Sequence, residues 1–253
     1  MADSLFVDDE EGVEDDEQDG MSVAEVPMPV AAEELFDDFF FNYASSMRVQ
    51  LQRTQFPLLV TKGELTDTIE RSEWQFTPFF MEQGYYTLIF ENNAQVELVK
   101  DTAINHTVVE TFADDADMVV QYHFRRIDGQ WQLCEARWQP LIENPNASFV
   151  QFYRRFVADS LFQRQSLAQI IEFTGGDSEE EESESMEGFI TPDSWEGFAP
   201  QFPELPLYNI VYGHQDSMAR QKIFVIRGIA NGEEMEVTFK REGDNWKLIK
   251  LFE

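Results

Sequence analysis

The chain repeats itself at a distance that only a whole domain can explain. Phe124-Arg125-Arg126-Ile127-Asp128-Gly129-Gln130-Trp131-Gln132-Leu133 returns as Phe239-Lys240-Arg241-Glu242-Gly243-Asp244-Asn245-Trp246-Lys247-Leu248. Tyr86-Thr87-Leu88-Ile89-Phe90 answers to Tyr208-Asn209-Ile210-Val211-Tyr212, and Leu51 to Phe56 answers to Phe162 to Leu167. The matches keep their order, and a spacing above one hundred residues is far longer than a solenoid unit. At 253 residues there is room for two domains, each with its own core. The expected division is an acidic disordered tail over 1–30, a first domain over 31–143 and a second over 144–253, the second carrying an acidic mobile loop at 174–188.

Hydrophobic periodicity gives each half the same plan. Leu35, Phe36, Phe39, Phe40, Tyr43, Met47 and Leu51 advance by three or four, which predicts one amphipathic helix from about Ala31, ended or kinked by Pro57. Phe149, Phe152, Tyr153, Phe156, Val157, Leu161, Leu167, Ile170 and Ile171 predict a second helix or helix pair after Asn144-Pro145-Asn146. Strands then close each half. Met118, Val120, Tyr122 and Phe124 alternate with polar neighbours. Asp128-Gly129 turns the chain into Trp131–Trp138, and Asn231-Gly232 and Gly243-Asp244-Asn245 separate three strands near the end. Trp246 and Leu248 on one face with Ile249 and Leu251 on the other suggest a last strand sandwiched between the two halves, packed as an intrachain pseudo-dimer. Helices followed by an antiparallel meander, twice over, is α+β.

Charge removes several function classes. The net charge is −31. Residues 1–20 and 177–187 are dense in carboxylates and hold no Lys or Arg, yet the remainder is still acidic. Such a surface repels phosphate backbones, so a nucleic-acid partner is not expected, and anionic membranes are disfavoured likewise. No apolar run reaches the ~20 residues of a transmembrane segment, and Met1-Ala2-Asp3-Ser4 opens neither a basic nor an apolar leader. Cys134 is the only cysteine, so no internal disulfide forms; in a strand it is read as a small packing residue.

Helix-then-sheet halves ending in Phe-Lys/Arg-Arg-(four residues)-Trp-(one residue)-Leu resemble nuclear-transport-factor-2-like domains, the cystatin-like α+β cone also found in SnoaL-type proteins. The resemblance covers roughly 31–141 and 147–253. It implies two tandem cones, each with helices packed on a curved antiparallel sheet. The whole chain, with its acidic leader and the Phe-Asp-Asp-Phe-Phe-Phe-Asn-Tyr-Ala first helix, also resembles an uncharacterised secreted or lipoprotein-type family of gut Bacteroides that carries a domain of unknown function. That resemblance implies a place in the cell envelope, periplasmic or lipid-anchored. It extends to Asp-Ser/Thr triplets at Asp3, Asp67, Asp101, Asp159 and Asp216, similar to the O-glycosylation signal of exported Bacteroides proteins.

Chemistry-bearing residues are few. Enzymes of the resembled superfamily bury an Asp, His or Tyr inside the cone, where desolvation moves its pKa toward neutrality. Alternation turns His123 outward beside Gln121 and Arg125, and His106 and His214 fall near strand ends. Asp101, Asp114, Asp115 and Asp117 sit at predicted turns, where Asp serves the backbone. No zinc spacing, nucleophile elbow or phosphate-cradling glycine loop is present, so no metal and no cofactor is expected. Trp74, Tyr86, Trp195 and Tyr208 occupy comparable places in the two copies and are the candidates for an apolar ligand pocket at the rim of each cone. Trp131 and Trp246 are expected in the cores. The expected function is a non-catalytic module that binds a small apolar ligand or a protein partner. The alternative is a SnoaL-like lyase or isomerase using a buried carboxylate or histidine.

Overall fold

A computed structural model describes residues 34–113, 117–175, 186–229, 231–243 and 245–253. The expected acidic tail over 1–30, most of the expected loop over 174–188, and Asp114 and Asp115 lie outside the described residues. In chain order the elements are α1 (Phe36–Ser45), α2 (Met47–Gln52), β1 (Thr54–Lys62), β2 (Leu65–Ile69), β3 (Tyr85–Phe90), α3 (Asn93–Glu97), β4 (His106–Phe112), β5 (Met118–Ile127) and β6 (Gln130–Pro140). There follow α4 (Ala147–Ala158), α5 (Ser160–Gln165), β7 (Leu167–Gly175), β8 (Met186–Ile190), β9 (Leu207–Val211), β10 (Gln221–Gly228), β11 (Glu234–Glu242) and β12 (Asn245–Phe252).

The expected long first helix is two short ones. Ser46 takes an extended backbone between them, and its side chain accepts a hydrogen bond from the Val49 amide, capping α2. Asp159 does the same for α5, accepting from the Phe162 amide at 3.0 Å. Asp159 therefore breaks the helical run that its flanking apolar residues suggested. Pro57 ends no helix; it lies within β1, where the register against β6 slips between Thr54 and Leu59. Proline cannot donate to a ladder, and an irregular stretch of strand tolerates it. Leu167, Ile170 and Ile171 also leave the predicted helix, for they belong to β7, with Leu167 and Ile171 buried and Ile170 exposed.

Two six-stranded sheets result, with orders β2-β1-β6-β5-β4-β9 and β3-β10-β11-β12-β7-β8. The architecture is the α+β one expected, with one qualification in each sheet: β1 runs parallel to β6 and β7 parallel to β12, while the other pairings are antiparallel. The order is the same in both sheets save for one exchange. β3, from the first half, pairs with β10, and β9, from the second half, pairs with β4. The tight Asp128-Gly129 turn is present, with positive φ at both positions, as a two-residue hairpin between twisted strands requires.

Each core draws on both sheets. Around α1, Phe36, Phe39, Phe40, Phe124 and Trp131 are joined by Leu88 and Phe90 of β3 and Ile223 and Val225 of β10. Around α4, Phe149, Tyr153, Phe156, Phe239 and Trp246 are joined by Phe112, Val119 and Leu207 of the other sheet. The last strand is not apolar on both faces by sandwiching. A bulge after Leu248 sets Lys250 opposite Glu172 and returns Leu251 to the face of Trp246 and Leu248, all three in one core. The same bulge occurs in β6, where Cys134 is the inserted residue between Leu133 and Glu135.

β3 alone places Leu88, Ile89 and Phe90 in buried positions, worth roughly 5–9 kcal/mol at 1.5–3 kcal/mol per side chain. That equals much of the net stability of a domain, about 5–15 kcal/mol. Residues 31–143 and 144–253 expressed separately should therefore each remain unfolded by near-UV circular dichroism. Co-expressed, they should assemble into one species of native ellipticity on a sizing column.

Candidate functional site

The four rim aromatics do not meet at one place. Trp74 is buried in the α1 core, and its indole N–H donates to Gln50 Oε1 at 3.1 Å. Trp195 is buried in the α4 core and donates to Gln163 Oε1 at 3.2 Å. Gln50 also donates to the Tyr43 carbonyl, as Gln163 does to that of Phe156. One device is thus used twice: a glutamine on the second short helix holds a tryptophan from the following loop and the end of the preceding helix. Tyr86 and Tyr208 do come together, both rings packing against Phe80, at centroid separations of 4.9 and 5.8 Å.

Aromatic rings pack against one another in both cores. Phe124 takes edge contacts from Phe36, Phe39, Phe40 and Tyr43, and Phe239 takes them from Phe149, Phe152 and Phe156. These geometries suit the aromatic quadrupole and leave the rings interlocked. A small open groove of about 220 Å³, counting the solvent at its mouth, lies instead where β3 and β9 cross, between Leu98, Tyr212 and His214.

The ionisable residues nearest an interior were hidden from the sequence. Asp37, on the first turn of α1, accepts a short hydrogen bond from the Tyr212 hydroxyl, although Tyr212 belongs to the segment following β9. Burial, the larger influence, raises the Asp37 pKa, while the Tyr212 bond and the Arg227 charge oppose it. Arg227 in turn donates to Glu234 at 2.5 Å. By the common plan of the two halves, the residue after Phe36 is Asp37 and the residue after Phe149 is Val150, so this pair exists in one half only.

A second polar cluster lies between the halves. Glu110 on β4 is fully buried and accepts from Gln121 at 2.9 Å, Asn144 at 2.6 Å and Asn209 at 2.9 Å. Burial raises its pKa, with the three amides and Lys222 opposing. Asn209 in turn accepts from the Ile89 amide, so the Asn side chain of one exchanged strand bonds the backbone of the other. Lys222 is 2% exposed and donates to Glu91 at 3.2 Å and Asn146 at 2.7 Å. Period-two alternation assigns Glu110 to the outer face of its sheet. It is buried because the second half covers that face.

His106 and His123 face each other in line, Nε2 to Nδ1 at 3.3 Å, with Glu135 opposite His123 in the next strand. Burial is the main reason that His123 has its pKa lowered to about 4, and Arg137, His106 and Arg125 add to it against Glu135. His214 gives its backbone carbonyl to Gln95. Burial also raises the Cys134 thiol pKa, which disfavours a reactive thiolate. Asp101 accepts from the Ala103 amide at a turn, and Asp117 pairs with Arg154 at 3.1 Å. Among the described residues no three His, Cys, Asp or Glu gather as metal ligands, and no helix is long and apolar enough to cross a membrane, which says nothing of β-barrels.

Comparison with known proteins fits this geometry. The model of a family described as a domain of unknown function, DUF4348, matches residues 15–253. The chain belongs to this family. A solved crystal structure, an NTF2-like protein from Bacteroides fragilis NCTC 9343, is similar at 36% identity and a TM-score of 0.79, covering 89% of this chain and 98% of that one. A search of curated proteins finds no match. The family relationship therefore carries the NTF2-like fold and no specific activity.

Two measurements test the buried groups. Lys222→Ala removes the cation from Glu91, whose side chain is 9% exposed and keeps only the bonds from the Asp216 amide and Gln95, and leaves Asn146 Oδ1 without its donor; unfolding in urea should show a loss of about 1–3 kcal/mol. His123 resists protonation until about pH 4 in the fold, whereas unfolded it takes a proton near 6.5. The unfolded state then binds more protons in that window, so stability falls as pH drops from 6.5 toward 4. His123→Gln should flatten that part of the profile relative to the parent.

Proposed function

We propose that this DUF4348 protein is a non-catalytic protein-interaction module, built as two tandem NTF2-like copies locked into an intrachain pseudo-dimer. The observation that carries the reading is the packing of aromatic rings through both cores. In a container for small apolar molecules the interior must be open, yet here Phe124 and Phe239 are each ringed by other aromatics. Repetition of the glutamine–tryptophan device and of the strand bulge supports the tandem origin. A location in the cell envelope follows from the resemblance to exported Bacteroides proteins, and the strongly acidic surface speaks against a nucleic-acid partner.

A second reading draws on the Asp37–Tyr212 pair. A carboxyl whose pKa burial raises, bonded to a buried phenol, is the kind of acid–base couple that a lyase or isomerase of SnoaL type requires. The groove beside Tyr212 is lined by Ile89, Leu98 and Ile210 and not by Asp37.

Thermal unfolding with a panel of apolar small molecules separates these readings. A ligand seated in a cone and present at 100 times its Kd adds about 2.7 kcal/mol, which raises the Tm of a domain this size by several degrees. The interaction reading expects no saturable rise. A saturable rise abolished by Asp37→Asn would overturn it in favour of the enzyme, and one untouched by that change would favour a small-ligand carrier.

A further inference from the structure

Two histidines meet on the face of the first sheet that carries Glu110, and the second sheet has no such pair. Thr107 of β4 stands opposite Phe124 of β5 as Lys222 of β10 stands opposite Phe239 of β11. The counterparts of His106 and His123 are therefore Gln221 and Thr238. The strands and the bulge recur in both halves, whereas the histidines do not. A glutamine and a threonine satisfy the fold at these places, so packing alone does not call for the pair.

His106 Nε2 and His123 Nδ1 lie 3.3 Å apart, with ring centroids at 5.6 Å and planes within 15° of each other. The rings point nitrogen to nitrogen, and one hydrogen fills the gap between them. Among the described residues this is the only bond that the His123 ring makes, since its Nε2 is buried without a partner. A first added proton enters on Nδ1 of His106, the more exposed ring, and leaves the N–H···N bond charge-assisted. A second has to enter at the gap itself. Two N–H groups on two positive rings then face each other, and the pair must part.

The surroundings do not relieve this repulsion. Arg125 of β5 stands opposite His106. Glu135 of β6 stands opposite His123, but its Oε1 already accepts from Arg137 at 2.9 Å and from Thr61. Glu110, further along β4, is held by three amides, and β9 brings Asn209 and Val211 and no charge. Burial holds both imidazole pKa values down, and Arg125 acts in the same direction. The start of β4 is also held on one side only. Its pairing with β9 begins at Val108, and before that the chain has β5 alone, ending in the bond from the Arg126 amide to the Asn105 carbonyl at 2.9 Å.

We propose that the His106–His123 pair is an acid-released latch, which closes the start of β4 on β5 while it holds no more than one proton and frees residues 101–107 when it takes a second. The open form binds at least one proton more than the closed one. Opening therefore gains as pH falls below the ordinary imidazole value of about 6.5, down to about 4, where His123 titrates in the fold. The latch goes beyond the interaction reading and does not rest on it.

Hydrogen exchange on the full chain, corrected for the intrinsic effect of pH and followed with the histidine ring-proton resonances from about pH 7.5 to about 4.5, tests the latch. Residues 101–107 should lose protection by about tenfold or more over that window, while the rest of the first sheet and the near-UV ellipticity stay unchanged. His106→Gln with His123→Thr, which installs the residues of the second half, should remove this acid loss. His106→Gln alone should raise the His123 midpoint toward its ordinary value, and it decides the matter if the double variant does not fold. Protection over 101–107 that persists through the window, loss that spreads across the whole sheet at the same pH, or loss undiminished in the double variant overturns the proposal. A His123 midpoint unmoved by His106→Gln overturns it as well.

Discussion

Everything in this molecule rests on a trade of strands. β3 leaves the half that encodes it to lie beside β10, and β9 makes the reciprocal journey to lie beside β4. Each six-stranded sheet is thereby complete only in the presence of the other half, and each core borrows side chains across the boundary. The arrangement joins the two halves into one compact unit without a disulfide, since the single cysteine has no partner. It also explains why the fold tolerates a net charge of −31. Self-repulsion among surface carboxylates opposes compaction, and the interlocked sheets supply the apolar burial that offsets it.

The polar cluster at the crossing follows from the trade. Where two strands pass between cores, backbone groups on the side facing the other sheet lose their ladder partners and must be bonded otherwise. Asn209 takes the Ile89 amide and gives its own N–H to Glu110, while Thr87 donates to the Tyr208 carbonyl. Glu110 then collects two more amides, and Lys222 answers Glu91 a short way along β10. Such a set is expensive to bury and costs more when broken than an apolar contact of the same size. It penalises any register in which β3 and β9 fail to cross at these residues. It thus specifies the exchange more than it strengthens it.

Much of this plan was legible in the residues, and the parts that were not share a cause. Period-two alternation placed β5, β6 and β12, and the repeated Trp131 and Trp246 marked the two cores. The exchange could not be read, because Tyr86–Phe90 and Tyr208–Tyr212 have the same apolar pattern and either satisfies either sheet. The internal repeat, which pointed to two halves, concealed which strand belonged to which sheet. The helix expected through Leu167 and Ile171 gives way to a strand for a local reason: residues four apart share a face in a strand as well as in a helix, and only the Asp159 cap distinguishes them. Glu110 was missed because alternation reports the face of a sheet and is silent on what covers that face. Trp74 and Trp195 were recognisable as a pair, but their glutamine partners, Gln50 and Gln163, align only once Ser46 and Asp159 are seen to be equivalent caps.

The common plan of the two halves also provides an internal control on function. Where both copies keep a feature, as with the glutamine–tryptophan anchor and the strand bulge, the fold is sufficient reason for it. Where they differ at one structural position, the fold is not the reason. Three differences stand out by this standard: Asp37 against Val150, Arg137 against Phe252, and Thr68 against Phe189. The first puts a carboxyl beside the incoming Tyr212, at the place where α1 meets the exchanged segment, and its charge is already occupied in joining the halves. The other two lie on the outer face of their sheet, Phe189 on the edge strand β8 and Phe252 on β12, two strands in from that edge. The shared anchors and bulge are what the common plan itself requires, and the positions at which the halves differ lie outside that requirement.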